Sequence, residues 1–361
     1  ALWLSVEKSS SCFGGCGSLR LDCEGSVIRK NICITNFRTI KMVWNAKQWK
    51  EQFELLSAQR NAKQKEEAIF LLRNMRADVF KHTVFLVQQG YYYNQKQSKV
   101  SFPDSKIMIS GTRFYDKPET TFHIPTINSN TIIKVENVDC LLAAEKLLKE
   151  GYHPAVLNMA SRQNPGGGVQ TGAGAQEENL FRRTNLFQSL FQFVPYAEKF
   201  GVRKSRFQYP LDRNYGGIYT PDATVFRGTE QMGYPLLDNP FQMSFIAVAG
   251  INRPALASPE RIAPELVEPV KNKMRTIFRI GLLHHHDSLV LGALGCGAFR
   301  NPPAHIARLF HEVMEEEEFK NKYKLLVFAI LDDHNARLKH NPDGNFLPFV
   351  REFCLANIRK R

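Results

Sequence analysis

The stretch Val156–Leu190, VLNMASRQNPGGGVQTGAGAQEENLFRRTNLFQSL, joins an apolar strand ending to a glycine-rich loop and then to a long helical pattern. Gly166, Gly167 and Gly168 let the backbone take positive φ and approach a ligand with no Cβ in the way, which favours a flat or anionic ligand. A helix opening near Gln176 aims free N–H groups and its positive end at the same space, which suits a phosphate or a carboxylate. Glu177 and Glu178 fall in that first turn.

The surrounding chain reads as the support of this stretch. Residues from Trp44 to about Gln89 are helical, because Trp49, Phe53 and Leu56, then Ala68, Leu72, Met75 and Val79, recur at three-and-four spacing. Lys99–Phe114 gives one or two short strands, and Thr131–Val135 another. Asp139 is an N-cap for a helix ending at Glu150, with Gly151 just past its end. His153–Met159 is a short buried strand. Ile218–Arg227 reads as a strand with a turn at Pro221-Asp222, and Ser244–Ala249 as a further strand. Ser258 is expected to cap a helix reaching about His284. Leu289–Leu294 is a buried strand that runs into Gly295-Cys296-Gly297-Ala298-Phe299-Arg300-Asn301-Pro302-Pro303. A helix to about Phe319, the strand Leu325–Leu331 and a helix from about Phe346 to Ile358 complete the chain. Strands alternating with helices predict an α/β fold with a mainly parallel sheet covered on both faces. Ligands bind at the carboxyl ends of such strands, where both glycine loops lie and can face one ligand.

Residues 1–42 lack periodicity and read as an appended tail, with residues 43–361 as one domain: an accessory helical and strand region (43–125) and a core (126–361). No run is apolar enough to span a membrane and no secretory leader is evident, so the expected compartment is intracellular, cytoplasmic or nuclear. Seven cysteines scattered from Cys12 to Cys354 do not form a disulfide framework. Cys12, Cys16 and Cys23, with Cys33 the nearest fourth ligand, are poorly spaced for zinc. The net charge of +13 and pI ≈ 9.4 make a polyanion a plausible partner without specifying nucleic acid. Six basic and three acidic residues in the first 42 supply little of that excess.

The triple glycine lacks the GK[ST] ending of a nucleotidase phosphate loop, and the Gly295 loop has the wrong spacing for G-x-G-x-x-G. The three glycines followed, after seven residues, by Gln176-Glu177-Glu178 closely resemble the signature of poly(ADP-ribose) glycohydrolases. With YTPDATVFR at Tyr219–Arg227 and LGALGCGAFRNPP at Leu291–Pro303 in the same order, the chain from about Arg60 onward is similar to the bacterial-type, microbial branch of that family.

The resemblance implies a macrodomain-like three-layer α/β/α sandwich with a mixed, mainly parallel sheet and an N-terminal helical extension. It also implies hydrolysis of the ribose–ribose O-glycosidic bond of poly(ADP-ribose). Glu178 would be the catalytic carboxylate and Glu177 would position the ribose hydroxyls. Asn158 would hold the reacting ribose, with Asn164 competing for that role. Gly166, Gly167 and Gly168 would lie beside ribose and diphosphate, with Gln176 at the same site. Gly295, Cys296, Gly297 and Ala298 would form the second diphosphate loop and Phe299 would cover the ribose. No cofactor and no metal are implied. The partners are poly(ADP-ribose) and ADP-ribosylated proteins, with ADP-ribose as product; no membrane and no specific nucleic acid is expected. A non-catalytic ADP-ribose-binding module and a mono-ADP-ribosyl hydrolase are the alternatives.

Neighbouring helix residues project about 100° apart, so Glu177 and Glu178 approach a sugar from one side. They cannot flank the bond like the opposed carboxylates of an ordinary glycosidase. One carboxyl must therefore act as acid and then as base; Glu178 needs a raised pKa to carry its proton near neutrality, and burial beside Glu177 is expected to push that way. His284, His285 and His286 read as a solvated turn at a helix end rather than a metal site. Tyr215, Tyr219 and Phe226 either stack adenine or belong to the core. Asn137 and Asp139 could reach the adenine, and Glu315–Glu318 reads as a solvated helix face.

Overall fold

The computed structural model describes residues 4–5, 43–59, 65–118, 130–332 and 336–355. Helices α1 (Ala46–Gln59), α2 (Lys65–Gln89) and the short α3 (Lys106–Gly111) precede most of one seven-stranded sheet. Its strands are β1 (Arg113–Tyr115), β2 (Ile132–Glu136), β3 (Pro154–Met159), β4 (Gly217–Arg227), β5 (Leu236–Val248), β6 (Ser288–Leu291) and β7 (Leu325–Ala329), in spatial order β1-β4-β5-β3-β6-β7-β2. The pairs from β5 through β3, β6 and β7 to β2 are parallel, whereas β1, β4 and β5 pair antiparallel.

Alternate residues of each central strand enter opposite layers, as the two-residue period requires. Val156 and Val290 join a core with α4 (Cys140–Lys149), α5 (Gln176–Arg183) and α6 (Leu186–Leu190). Ala155, Leu157, Leu289 and Leu291 join a second core with α7 (Pro264–Leu283), α8 (Pro303–Met314) and α9 (Phe346–Val350). Trp49, Leu56, Leu72 and Val79 close a third cluster between α1 and α2. The result is the macrodomain-like α/β/α sandwich with a helical extension.

Asp139 caps α4 as expected, accepting from the N–H groups of Leu141 and Leu142. The long helix expected from Gln176 is broken. Thr184 takes extended backbone, its Oγ1 donates back to Leu180 O at 2.8 Å and accepts from Leu186 N–H at 3.1 Å. Ser258 caps nothing; it lies in a small hairpin (Leu256–Ser258 with Arg261–Ile262), and α7 starts at Pro264, whose fixed φ suits a first helical position. The expected turn at Pro221-Asp222 is a bulge inside β4, with Asp222 at φ +48°. The Lys99–Phe114 segment also holds α3, which was not expected.

Helix α8 ends at Met314, so Glu315–Glu318 is no helix face. Glu316 and Glu318 instead form two-point pairs with Arg275 and Arg279 of α7. The three histidines are packed rather than solvated, His285 excepted. His284 stacks on Tyr219 with centroids 3.5 Å apart, and the buried His286 has Nε2 3.0 Å from Tyr219 Oη. Of the expected tail, Leu4–Ser5 pair with Val43–Trp44; Cys12, Cys16, Cys23 and Cys33 lie outside the described residues. Among the described residues no helix is long and apolar enough to cross a membrane.

Candidate active site

Strand β3 delivers Asn158 and Met159 to the carboxyl edge of the sheet. Its pairing with β6 stops at Val156, so the next backbone groups on that side need another partner. Gln176 supplies it, accepting from Met159 N–H at 2.9 Å and donating to Leu157 O at 2.7 Å. The first residue of the QEE triplet thus docks α5 onto the strand, and the two glutamates are fixed by that docking.

Glu177 is 3 % exposed. It accepts from Gly166 N–H at 2.9 Å and Ser161 N–H at 2.7 Å, with a long contact to Asn158 Nδ2 at 3.5 Å. Glu178 Oε1 accepts from Gly168 N–H at 2.8 Å. Glu178 Oε2 is buried with no hydrogen-bond partner among the described residues, and so is Asn158 Oδ1. Burial first, and then the neighbouring Glu178 charge, push the Glu177 carboxyl up to about 8, against the pull of its N–H donors. The group raised in this way is Glu177, whose carboxyl favours holding a proton at neutral pH, whereas sequence reasoning expects that proton on its neighbour. Of the four oxygens of the two carboxyls only Glu178 Oε2 has no donor aimed at it among the described residues.

The three glycines do not do what was expected of them. Gly166 and Gly168 spend their N–H groups on the glutamates and Gly167 donates to Asn164 O at 3.0 Å. The loop therefore grips the carboxylates and offers no free N–H to a diphosphate. Asn164 is not at the site either: it is exposed and makes the turn that precedes Gly167.

A cleft of about 220 Å³ opens at the start of α5; Gln176 and Asn179 line it, whereas Asn158, Glu177, Glu178 and the three glycines lie behind its wall. Its walls include Met159 and Gln176, the second glycine loop (Gly295, Gly297, Ala298 and Phe299), and the ends of β7 and β2. The N–H groups of Gly297, Ala298 and Phe299 have no partner among the described residues, so this loop is the one that can receive an anion. Cys296 differs from its neighbours: it is wholly buried in the α7–α8 core, burial pushes its thiol up, and only its backbone belongs to the loop. The buried Asn301 holds the loop shut, donating to Ile251 O at 2.7 Å and Gly295 O at 2.9 Å.

Tyr219 and Phe226 are core residues, and neither they nor Tyr215 face the cleft. Asn137 is exposed and away from it. Asp139 does border it, but its carboxylate caps α4 and takes two contacts from Arg183 Nη1, at 2.9 and 2.8 Å. Sequence reasoning missed Asn179, Gly250, Ile330, Leu331 and Asn345, which complete the walls. It also missed Arg76, whose guanidinium pairs with Glu230 at 2.7 and 2.8 Å and fills the space a Cβ on Gly174 would need.

A layered α/β/α fold with a cleft at the strand ends is the architecture of the macrodomain-like class. Residues 81–228 match the model of the microbial-type PARG, or poly(ADP-ribose) glycohydrolase, catalytic domain. Among solved structures it is similar to the poly(ADP-ribose) glycohydrolase of Thermomonospora curvata bound to the inhibitor ADP-HPD, with 28 % identity and TM-score 0.61 over 78 % of this chain and 100 % of that one. It is also similar to the Deinococcus radiodurans enzyme in complex with ADP-ribose, with 28 % identity and TM-score 0.53 over 71 % and 100 %. No curated protein sequence matches.

Proposed function

We propose that the chain is a poly(ADP-ribose) glycohydrolase that cleaves ribose–ribose O-glycosidic bonds and releases ADP-ribose, with Glu178 as the single acid and base. The observation that supports the mechanism is Glu178 Oε2, a buried carboxyl oxygen with no hydrogen-bond partner among the described residues. As the bond between the reacting ribose carbon and the leaving oxygen breaks, Glu178 gives its proton to that oxygen and an oxocarbenium ion forms. Water then attacks the same carbon and returns a proton to Glu178, so one water is consumed and the carboxyl is regenerated. Glu177, held by two N–H donors, and Asn158, with its unsatisfied Oδ1, position the ribose hydroxyls. The diphosphate sits on the free N–H groups of Gly297, Ala298 and Phe299, where its charge stabilises the cation.

The partners are poly(ADP-ribose) and ADP-ribosylated proteins. An intracellular setting, cytoplasmic or nuclear, accords with the free Cys140, Cys296 and Cys354. In the test, the protein shortens poly(ADP-ribose), Glu178→Gln abolishes shortening, and the variant still binds ADP-ribose. Binding without any digestion by the unaltered protein over hours would favour the non-catalytic module and refute the enzyme.

A further inference from the structure

On the glycohydrolase reading the reacting ribose sits by Asn158 at the end of β3, and the rest of its ADP-ribose lies in the cleft, whose walls include Met159, the Gly295–Phe299 loop and the residues after β7 and β2. The remainder of a polymer is attached through the bond to be broken, so it leaves the cleft on the side of the reacting carbon. Residues 195–216, which lead into β4, line no part of the cleft. They are pinned to the site: Leu211 N–H donates to Arg162 O at 2.9 Å, Arg162 Nη1 donates to Leu211 O at 3.1 Å, and the adjacent Ser161 N–H holds Glu177. Ser205 N–H to Gln192 O at 2.7 Å and Tyr209 N–H to Phe193 O at 3.0 Å fix the rest.

This loop carries exposed Lys199, Arg203, Lys204, Arg206 and Arg213, none of which makes an ion pair among the described residues. On α7, by contrast, Lys271, Arg275 and Arg279 all pair with glutamates. Of the loop's two acids, Asp212 is occupied by the N–H groups of Asn214 and Tyr215. Phe207, 38 % exposed, stacks on Phe114 and lies under the Arg206 guanidinium, giving a flat apolar face beside the charges. Unpaired cations interleaved with an exposed ring suit a flexible single-stranded polyphosphate that carries stacking bases.

Resting on the glycohydrolase reading, we propose that residues 195–216 form a second binding surface, which holds the phosphates and bases of the ADP-ribose units beyond the scissile bond. The loop then favours long polymer over short without touching the ADP-ribose in the cleft.

The test measures binding in the full chain carrying Glu178→Gln, so that polymer is not consumed, with and without R203Q/K204Q/R206Q; K199Q/R213Q is a second variant. The probes are end-labelled long poly(ADP-ribose) and ADP-ribose itself, titrated over a range of salt. Three lost phosphate contacts should weaken polymer binding about tenfold or more near physiological salt. They should also flatten the slope of log affinity against log salt by about two. ADP-ribose affinity should stay unchanged. Unaltered polymer affinity and salt slope in both variants would overturn the proposal. So would single-stranded DNA of equal phosphate count competing as well as polymer, which would make this a nucleic-acid surface. Turnover by the unmodified protein is a separate readout: its absence would count against the glycohydrolase reading, while the binding result would still decide the role of the loop.

Discussion

Replacing Gly167 with alanine should cut turnover about a hundredfold while leaving the protein folded. Gly167 has φ +52°, and a Cβ built there would stand 2.5 Å from Glu178 Oε1, 3.2 Å from its Cδ and 3.3 Å from Glu177 Oε2. Restoring ordinary contact requires Glu178 to retreat by about 0.9 Å, which also strains its bond from Gly168 N–H. A misplacement of about 1 Å in a reacting group costs on the order of 10²-fold in rate. The left-handed backbone adds about 1–2 kcal/mol of instability that is unrelated to chemistry. Gly151 separates the two effects, since it has φ +84° with nothing within 4 Å of its would-be Cβ. Gly151→Ala should lose similar stability and no activity. The assay is release of ADP-ribose from polymer, with ADP-ribose binding and denaturant unfolding measured in parallel. A Gly167→Ala enzyme whose kcat/KM stays within about threefold of the original would refute the placement of Glu178 as the reacting carboxyl.

Two further outcomes follow from the same geometry. Arg76→Ala should cost about 3–5 kcal/mol, because it strands the buried Glu230 carboxylate. Burial pushes that carboxyl up, but Arg76 outweighs it and holds it below its usual range. The pair's contribution is therefore complete above the unfolded carboxyl pKa and fades as pH falls through the lower folded one. Denaturant titrations should show the gap between variant and parent narrowing in acid, and a gap independent of pH would contradict the pairing. Glu177 behaves oppositely. With its folded pKa raised to about 8 from 4.5, the folded state binds the extra proton between those values. Stability should fall by up to a few kcal/mol as pH rises through that window, then level off. Glu178→Gln, which removes the neighbouring charge, should flatten this slope; an unchanged or steeper slope in the variant would show that the carboxyls are not coupled.

Much of this site was legible because its residues are nearly consecutive. The strand ending, the glycines and QEE all lie between Val156 and Glu178, and local spacing was enough to bring them together. What spacing could not reveal was the direction of the hydrogen bonds. A glycine loop facing a helix start reads as an anion cradle, and it is one, but the anions it cradles are the protein's own carboxylates. The far wall was illegible for another reason. Ile330, Leu331 and Asn345 carry no motif and reach the cleft only through the order in which β7 and β2 pair. His284 and His286 were misjudged because a run of polar residues after a helix looks solvated. Here the aromatic face of Tyr219 and the carbonyl of His153 cover it.

The helical region before the core is better understood as a brace than as an accessory. Helix α5 has only eight residues, too few to hold its own shape in water, yet its first turn carries both glutamates. Its last turn is anchored from two directions. Arg183 is tied to Asp139 at the head of α4, while Arg182 donates to Arg76 O at 3.1 Å and to Ala173 O, and its carbonyl accepts from Thr83 Oγ1 at 2.6 Å. Arg76 and Thr83 belong to α2. A rigid short helix transmits a fixed end to its other end, so pinning Arg182 and Arg183 places Glu177 and Glu178 about one and a half turns away. The position of Glu178 is therefore set by contacts that span residues 76–183, and the role proposed for it depends on a helix that begins about a hundred residues earlier in the chain.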